Sequence, residues 1–390
     1  MAIELKELAK LTEKVKDVDM SLVAGEGGMT NFVTWVHMAE NEEASAFLDA
    51  GHLVIITGVG LTSEGNILNL IKAFYEKRVS GVIINIGPFI ETIPKEALSF
   101  CNDNNLPLFV VPWKAHLANI MHLFCSAITR EEQRMMGTSA AFKNAIFFPK
   151  QEELYVVPLS QRSFRVKWNY SVTVMKVKAK EKVTQERLET LCWSIDKNLR
   201  RNTENFAVFV SESDIILVLA NITEEYLIDK VNDVRAHVKQ ILKKGENLYM
   251  GVGRLTKSIR CIYKSYNQAK SIRRLQSRGK IGEDNFYYNN LGIYRLLMGI
   301  EDRDLMKEYY NHTLKALKDY DTLNGADLCT TLRCYLSHDG SVKDTADELF
   351  VHRNTINYKL NKIEELLGIE MSSLAARTEL MLAFNLQDIL

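Results

Sequence analysis

Apolar residues recur along the chain in three successive rhythms. From residue 31 to 113, short apolar runs at Val33–Met38, Leu53–Thr57, Val82–Ile86 and Leu108–Val111 alternate with longer amphipathic stretches at Asn41–Ala50, Ser63–Lys77 and Pro94–Asn104. Strands separated by helices of this length predict a mainly parallel α/β sheet covered on both faces. From Leu117 to Ala145 the period turns helical, with Met121, Phe124, Ile128, Met135, Phe142 and Ala145 at heptad a and d positions, interrupted by Glu131 and Thr138. That spacing fits either a coiled coil joining two chains or one amphipathic helix packed on its own chain. A second mixed region follows. Strand patterns at Ser171–Val177, Phe206–Ser211, Asp214–Ala220 and Leu248–Val252 alternate with helical ones at Thr184–Arg201, Glu224–Lys243 and Lys257–Arg274. This is a βαββαβ order of α+β type. The last hundred residues are all helical, with segments at Arg295–Met298, Leu305–Leu317, Leu328–Leu336 and Leu374–Leu386 and a break at Asn324-Gly325.

The expected organisation is therefore multidomain α/β. It comprises an α/β domain over residues 1–113, a connecting helix over 114–150, a cyclase-like α+β domain over 151–288 and a helical domain over 289–390. Composition permits this without adding to it. The 390 residues carry 49 basic and 49 acidic side chains, so any attraction to nucleic acid must be local rather than a property of the whole chain. The first 25 residues are polar, without the apolar core of a secretory signal, and the apolar runs at Leu53–Ile56 and Val82–Ile84 are too short to span a bilayer. The six cysteines, at positions 101, 125, 192, 261, 329 and 334, include no C-x-x-C pair, and read as core residues of a reducing cytoplasm. His37, His116, His122, His237, His312 and His338 show no metal-ligand spacing, and no cofactor or metal is expected.

The strongest chemical signal lies at residues 341–368. Ser341 is placed to cap a short helix whose Val342, Ala346 and Leu349 share one face. After a brief turn, Ile356, Leu360, Ile363 and Leu367 recur on one face of a second helix. Its outer face holds Asn354, Tyr358, Asn361 and Lys362, flanked by Arg353, Asn357 and Lys359, and no acid occurs from His352 to Lys362. Arg353, Lys359 and Lys362 suit phosphate or guanine, Asn354 and Asn357 suit the adenine N6/N7 edge, and Thr355 or Tyr358 suits a phosphate. With His352, these are the candidate DNA-binding residues of a helix-turn-helix. A solvated face on an ordinary helical hairpin is the bland alternative.

The run His352-Arg-Asn-Thr-Ile-Asn-Tyr-Lys-Leu-Asn-Lys-Ile-Glu-Glu-Leu-Leu-Gly368 resembles the HRNT-x-x-Y-(R/K)-L-x-(R/K)-I-E-E-L-x-G signature of the PucR-type helix-turn-helix, shared with sugar-diacid regulators. Val33-Thr-Trp-Val-His-Met-Ala-Glu40, Gly51-His-Leu-Val-Ile-Ile-Thr-Gly58 and Leu106-Pro-Leu-Phe-Val-Val-Pro112 resemble motifs of the PucR N-terminal domain, although His52 replaces its usual acid. The middle segment is similar to the degenerate GGDEF-like domain of the same regulators. The resemblance implies a transcriptional regulator of catabolic genes, for purines, amino acids or other nitrogen sources, working with promoter DNA and a nitrogenous small-molecule effector.

Two further expectations follow. Ligands of parallel sheets sit beyond the strands' carboxyl ends, where this chain places Glu40, Thr57, Gly58, Gly60, Asn85, Gly87 and Trp113, the candidate ligand-binding residues. Glycines there admit close backbone approach and Trp113 offers a stacking surface, though loop punctuation alone also explains them. A nucleotide cyclase would carry its glycines and acids in the hairpin between the two central strands, where this chain reads Ser211-Glu-Ser-Asp214. Both glycines are missing. A nucleotide-handling enzyme is therefore the alternative reading, and a non-enzymatic, homo-oligomeric regulator the preferred one.

Overall fold

The computed structural model describes residues 3–13, 18–59, 65–300 and 302–390. It divides into two units, Met1–Ala141 and Phe142–Leu390, so that the candidate residue Gly60 lies outside the described residues of the first.

The first unit runs β1 (Ile3–Glu4), α1 (Leu5–Thr12), β2 (Ser21–Ala24), β3 (Phe32–Val33), β4 (Trp35–Met38), β5 (His52–Ile56), α2 (Gly65–Glu76), β6 (Gly81–Ile86), α3 (Lys95–Asp103), β7 (Leu108–Pro112) and the long α4 (Leu117–Phe147). Its main sheet is mixed, in the order β2-β7-β6-β5-β4. Strands β4 to β7 are parallel, while β2 lies antiparallel on β7 with an irregularity between Leu22 and Ala24. The parallel strands are added in chain order, so each crossover steps the same way, and right-handed connections then put all the intervening segments on one face.

The two cores follow from this winding. On the crossover face, Val54, Ile56, Val82 and Ile84 pack with Ile67, Leu70, Ile71 and Phe74 of α2 and with Ala97 and Cys101 of α3. The other face would be bare. It is covered by Leu5 and Leu8 of α1 and by Ile120, Phe124 and Ile128 of α4, packed on Leu53, Ile55, Ile83, Phe109 and Val111. Alternate residues of β5 thus enter opposite cores, which is why that strand reads as one unbroken apolar run. The helix expected at Asn41–Ala50 is only a 3₁₀ turn, Glu43–Phe47. Asn41 caps it by accepting from Ala44 N–H at 2.8 Å, and only Ala44 and Leu48 reach the core, too little to hold a longer helix.

The heptad residues of α4 divide between cores. Phe124 and Ile128 join the first unit's core, with Met121 packed beside it, whereas Phe142 and Ala145 are buried in the second unit. There Phe142 stacks edge-on against Phe164 at 4.9 Å.

The second unit continues with α5 (Val156–Ser160), β8 (Tyr170–Lys178), α6 (Gln185–Arg200), β9 (Phe206–Ser211), β10 (Asp214–Ala220), α7 (Glu224–Ile241), β11 (Asn247–Val252) and α8 (Ile262–Ser277). The four strands form an antiparallel sheet in the order β11-β8-β10-β9. Thr184 and Thr223 cap α6 and α7 by accepting from the backbone N–H groups of Arg187 and Tyr226. The apolar stripes of both helices, including Leu191, Ile195, Val231 and Val234, bury against Met175, Leu217, Leu219 and Val252. Gly251 faces the other way, and there α8 lies directly on β11. A Cβ on Gly251 would stand 2.1 Å from the Ala269 carbonyl oxygen, so only glycine permits that approach.

The helical end comprises α9 (Ile293–Leu297), α10 (Arg303–Asn324), α11 (Leu328–Ser337), α12 (Val342–Glu348), α13 (Arg353–Leu367) and α14 (Leu374–Ile389). Leu314, Leu317, Leu332, Ala346, Ile356, Ile363, Ala383 and Phe384 form its core. Its last helix is buried along Leu380, Ala383, Phe384 and Leu386, in keeping with the apolar character read from residues 374–386. No helix among the described residues is long and apolar enough to cross a membrane.

Candidate functional site

Helices α12 and α13 meet as the periodicity predicts. Ser341 Oγ accepts from the Asp344 N–H at 3.2 Å, fixing the start of α12, and the small Ala346, 3% exposed, lets the helices cross closely. The turn passes through Phe350, which has a positive φ of 54° and stands almost fully exposed. His352 then caps α13, its Nδ1 accepting from the Asn354 N–H at 3.3 Å. Ile356, Leu360 and Ile363 turn inward, so Arg353, Asn354, Thr355, Asn357, Tyr358 and Asn361 are exposed on the outer surface.

Two lysines depart from the expected pattern. Lys359 Nζ donates to Asp327 Oδ1 at 2.5 Å and to Thr331 Oγ1 at 3.3 Å, and its side chain is only 18% exposed. It braces α13 on α11. Lys362 donates to Glu365 at 2.8 Å and lies over the Tyr320 ring of α10, and its bond to Glu365 raises its pKa. Position 359 is three residues after Ile356 and four before Ile363, and therefore lies along the margin of the apolar stripe. The outer face accordingly consists of amides, a hydroxyl, a phenol and one guanidinium.

The second candidate cluster does gather at the carboxyl edge of the parallel strands. Glu40, two residues past β4, accepts through both carboxylate oxygens from the N–H of Thr57, from Thr57 Oγ1 at 2.7 Å and from the Gly58 N–H at 2.9 Å. It ties the ends of β4 and β5 together. Gly58 has φ +83°, and a Cβ there would meet Ile90 at 2.5 Å. Asn85, 2% exposed, donates to the carbonyl of Pro112 at 3.0 Å and so joins β6 to the end of β7. Gly87 N–H donates to the Ile90 carbonyl. Trp113 alone presents a large surface outward, 46% exposed and tilted against Phe89 at 5.6 Å. The polar members hold the loops in place, and the ring stands open beside them.

At the β9–β10 hairpin, Ser211 pairs with Asp214, leaving Glu212 and Ser213 as the turn, with Glu212 at φ +55°. Asp214 is 7% exposed and accepts from Arg273 Nη2 of α8 at 2.6 Å, while Lys176 Nζ stands 3.9 Å from its other oxygen. The acid that sequence reading placed in a catalytic hairpin is thus committed to a buried ion pair. Between α6 and α7 lies a polar cavity of about 310 Å³ lined by residues including Arg201, Lys230, Asp233 and His237.

Three family models match the chain in succession. The Purine catabolism regulatory protein-like family (PucR) matches residues 7–128, a GGDEF-like domain residues 160–275, and the PucR C-terminal helix-turn-helix domain residues 328–386. The proline-responsive transcriptional activator PutR of Bacillus subtilis is 30% identical over 203 residues, 50% of this chain and 49% of that protein. The DNA-binding transcriptional activator AdeR of the same organism is 24% identical over 46% of this chain and 43% of its own length. The carbohydrate diacid regulator of Escherichia coli is 29% identical over 33% and 32% respectively. The chain spans about half or less of the length of these curated relatives.

Proposed function

We propose that this chain, which carries a PucR N-terminal domain, a GGDEF-like domain and a PucR C-terminal helix-turn-helix in that order, is an effector-responsive DNA-binding transcriptional regulator of nitrogen-source catabolism. The observation carrying this reading is the outer face of α13. Among the described residues, Arg353, Asn357 and Asn361 find no side-chain partner within the protein, although they sit on a helix braced on three sides. In the major groove, Arg353 reaches a guanine edge and Asn354 or Asn357 an adenine edge, while His352, Thr355 and Tyr358 set the register on phosphates. Two copies of the chain on paired half-sites supply the affinity that one reading helix lacks.

Arg353→Ala is expected to cost about 1–3 kcal/mol of specific binding to the promoter fragment and to relax the sequence preference at one position. Fluorescence anisotropy with a labelled operator measures this. Unchanged affinity in a folded variant would remove α13 from the groove.

The GGDEF-like domain serves this regulator as a scaffold rather than a catalyst. Its βαββαβ order and antiparallel sheet suit the ferredoxin-like reading, but its hairpin lacks the glycines, and the Asp214 carboxylate beside it is taken up by Arg273. The first unit is the sensor, for promoter control by a nitrogenous metabolite. Its ligand sits on the carboxyl edge of the sheet, against the backbone around Thr57, Gly58 and Gly87 and beside the Trp113 ring. Glu40 and Asn85 hold that edge in shape. Trp113→Ala in the full chain is expected to weaken effector binding at least tenfold while leaving the melting temperature of the effector-free protein unchanged. Glu40→Ala should lower both. Thermal-shift screening of purines, ureides and amino acids tests this, and a ligand indifferent to Trp113→Ala would move the receptor elsewhere.

A further inference from the structure

The end of α11 and the end of α12 bring together a thiol, an imidazole and a carboxylate. Cys334 lies one helical turn before His338 on α11, so both side chains share a face. Glu348 reaches the same point from the last turn of α12, the first helix of the helix-turn-helix. Cys334 Sγ, a ring nitrogen of His338 and a Glu348 carboxylate oxygen lie within 4.8 Å of one another. His338 Nε2 and Glu348 Oε2 stand 2.5 Å apart. Cys334 is 7% exposed, whereas the His338 and Glu348 side chains are 31% and 58% exposed, so the cluster has a buried sulfur floor and an open rim.

We propose that Cys334, His338 and Glu348 form a binding site for a divalent transition metal of the zinc class. One sulfur, one nitrogen and one oxygen are the mixed, borderline-soft donors that zinc and its neighbours select, whereas magnesium and calcium prefer oxygen alone. A tetrahedral ion with donors about 2.0–2.3 Å away holds neighbouring donors roughly 3.4–3.7 Å apart. The imidazole and the carboxylate must therefore separate by about 1 Å, which two rim side chains can do by small rotations. The floor need not move. Without metal, Glu348 takes hydrogen bonds from both other groups. On binding, the Cys334 thiol proton passes to solvent, the thiolate, the neutral imidazole and the carboxylate each donate a lone pair, and water takes the open fourth position. The ion then clips α12 to α11 across the turn at Asp339 and Gly340, both of which have positive φ.

The test is a cobalt titration of the full-length, reduced, metal-stripped protein, followed by absorption spectroscopy. A thiolate-to-cobalt charge-transfer band that saturates at one equivalent and is displaced by zinc is expected. Cys334→Ser should abolish it, His338→Gln should weaken binding at least tenfold, and Cys329→Ser, on the same helix, should leave it unchanged. No charge-transfer band at several equivalents, or one that survives Cys334→Ser, would overturn the proposal. Should circular dichroism show Cys334→Ser unfolded, the decision passes to His338→Gln and Glu348→Gln. Cobalt affinity equal to that of the parent protein in both of these would sink the site.

Discussion

Replacing Arg273 with alanine is expected to destabilise the second unit by about 3–5 kcal/mol, the usual cost of leaving one partner of a buried ion pair behind. Both side chains of the Arg273–Asp214 pair are 9% exposed, and the 2.6 Å bond between them joins α8 to the start of β10. Asp214 Oδ1 and Arg273 Nε are buried with no hydrogen-bond partner, so the pair is held at a cost even when intact. Two different results follow from that. Arg273→Ala strands a carboxylate in the interior, whereas the double replacement Asp214→Asn with Arg273→Met removes both charges and should restore most of the loss. Calorimetry of the full chain should show the transition of the second unit falling by roughly 6 °C or more in the single variant. A single variant as stable as the parent would mean that water reaches the pair and that Asp214 is available to a ligand after all.

The second large effect is expected at Asp388, near the end of α14. Its carboxylate is 4% exposed and accepts from Tyr294 Oη at 3.0 Å and from Arg333 Nη2, while Lys280 Nζ lies 3.7 Å away. Its backbone carbonyl accepts from Arg278 at 3.3 Å. One residue thus gathers α11, α14 and the segment that leaves α8. Asp388→Ala leaves two cations facing each other, but both are about one-third exposed, so water offsets part of the loss and about 2–4 kcal/mol remains. If the site opens locally, hydrogen exchange across residues 278–300 should quicken by about 30-fold or more, since 1.4 kcal/mol is a factor of ten. Exchange that quickens evenly across the whole unit would show instead that this junction does not open by itself.

The sequence was most legible where one face of an element meets one core. Helix α13 presents the expected stripe because the 3.6-residue period is set by burial, and β9 and β10 fall on the expected residues because each is an unbroken apolar run bounded by polar turn residues. It was less legible where an element is short or lies at an edge. Helix α1 has eight residues and no side-chain cap, and β2 is an antiparallel edge strand with half its residues exposed, so neither imposes a pattern long enough to notice. The candidate sites divide in the same way. Which residues stand at the carboxyl edge follows from where the strands end. That Glu40 spends its oxygens on Thr57 and Gly58 does not, because that depends on two loops meeting in space. Likewise, Lys359 carries the same charge whether it faces a phosphate or Asp327, and only its position beside the apolar stripe distinguishes the two. The cluster of Cys334, His338 and Glu348 shows half its signal, a cysteine and a histidine four residues apart. Its third member comes from another helix at no conventional spacing.

For the proposed DNA-binding role, the pairing of Lys359 with Asp327 and of Lys362 with Glu365 has a consequence. Affinity gained by neutralising phosphates comes from released counterions and falls steeply as ionic strength rises. In that role, a helix whose Lys359 is held by Asp327 and whose Lys362 is paired with Glu365, on a chain with no net charge, would displace few ions. Its hold on arbitrary sequence is correspondingly weak. Discrimination then rests on amide and guanidinium contacts with base edges, which change little with salt. In the proposed role, such a protein would spend little of its time on non-specific DNA, and its hold on an operator would change little with ionic strength.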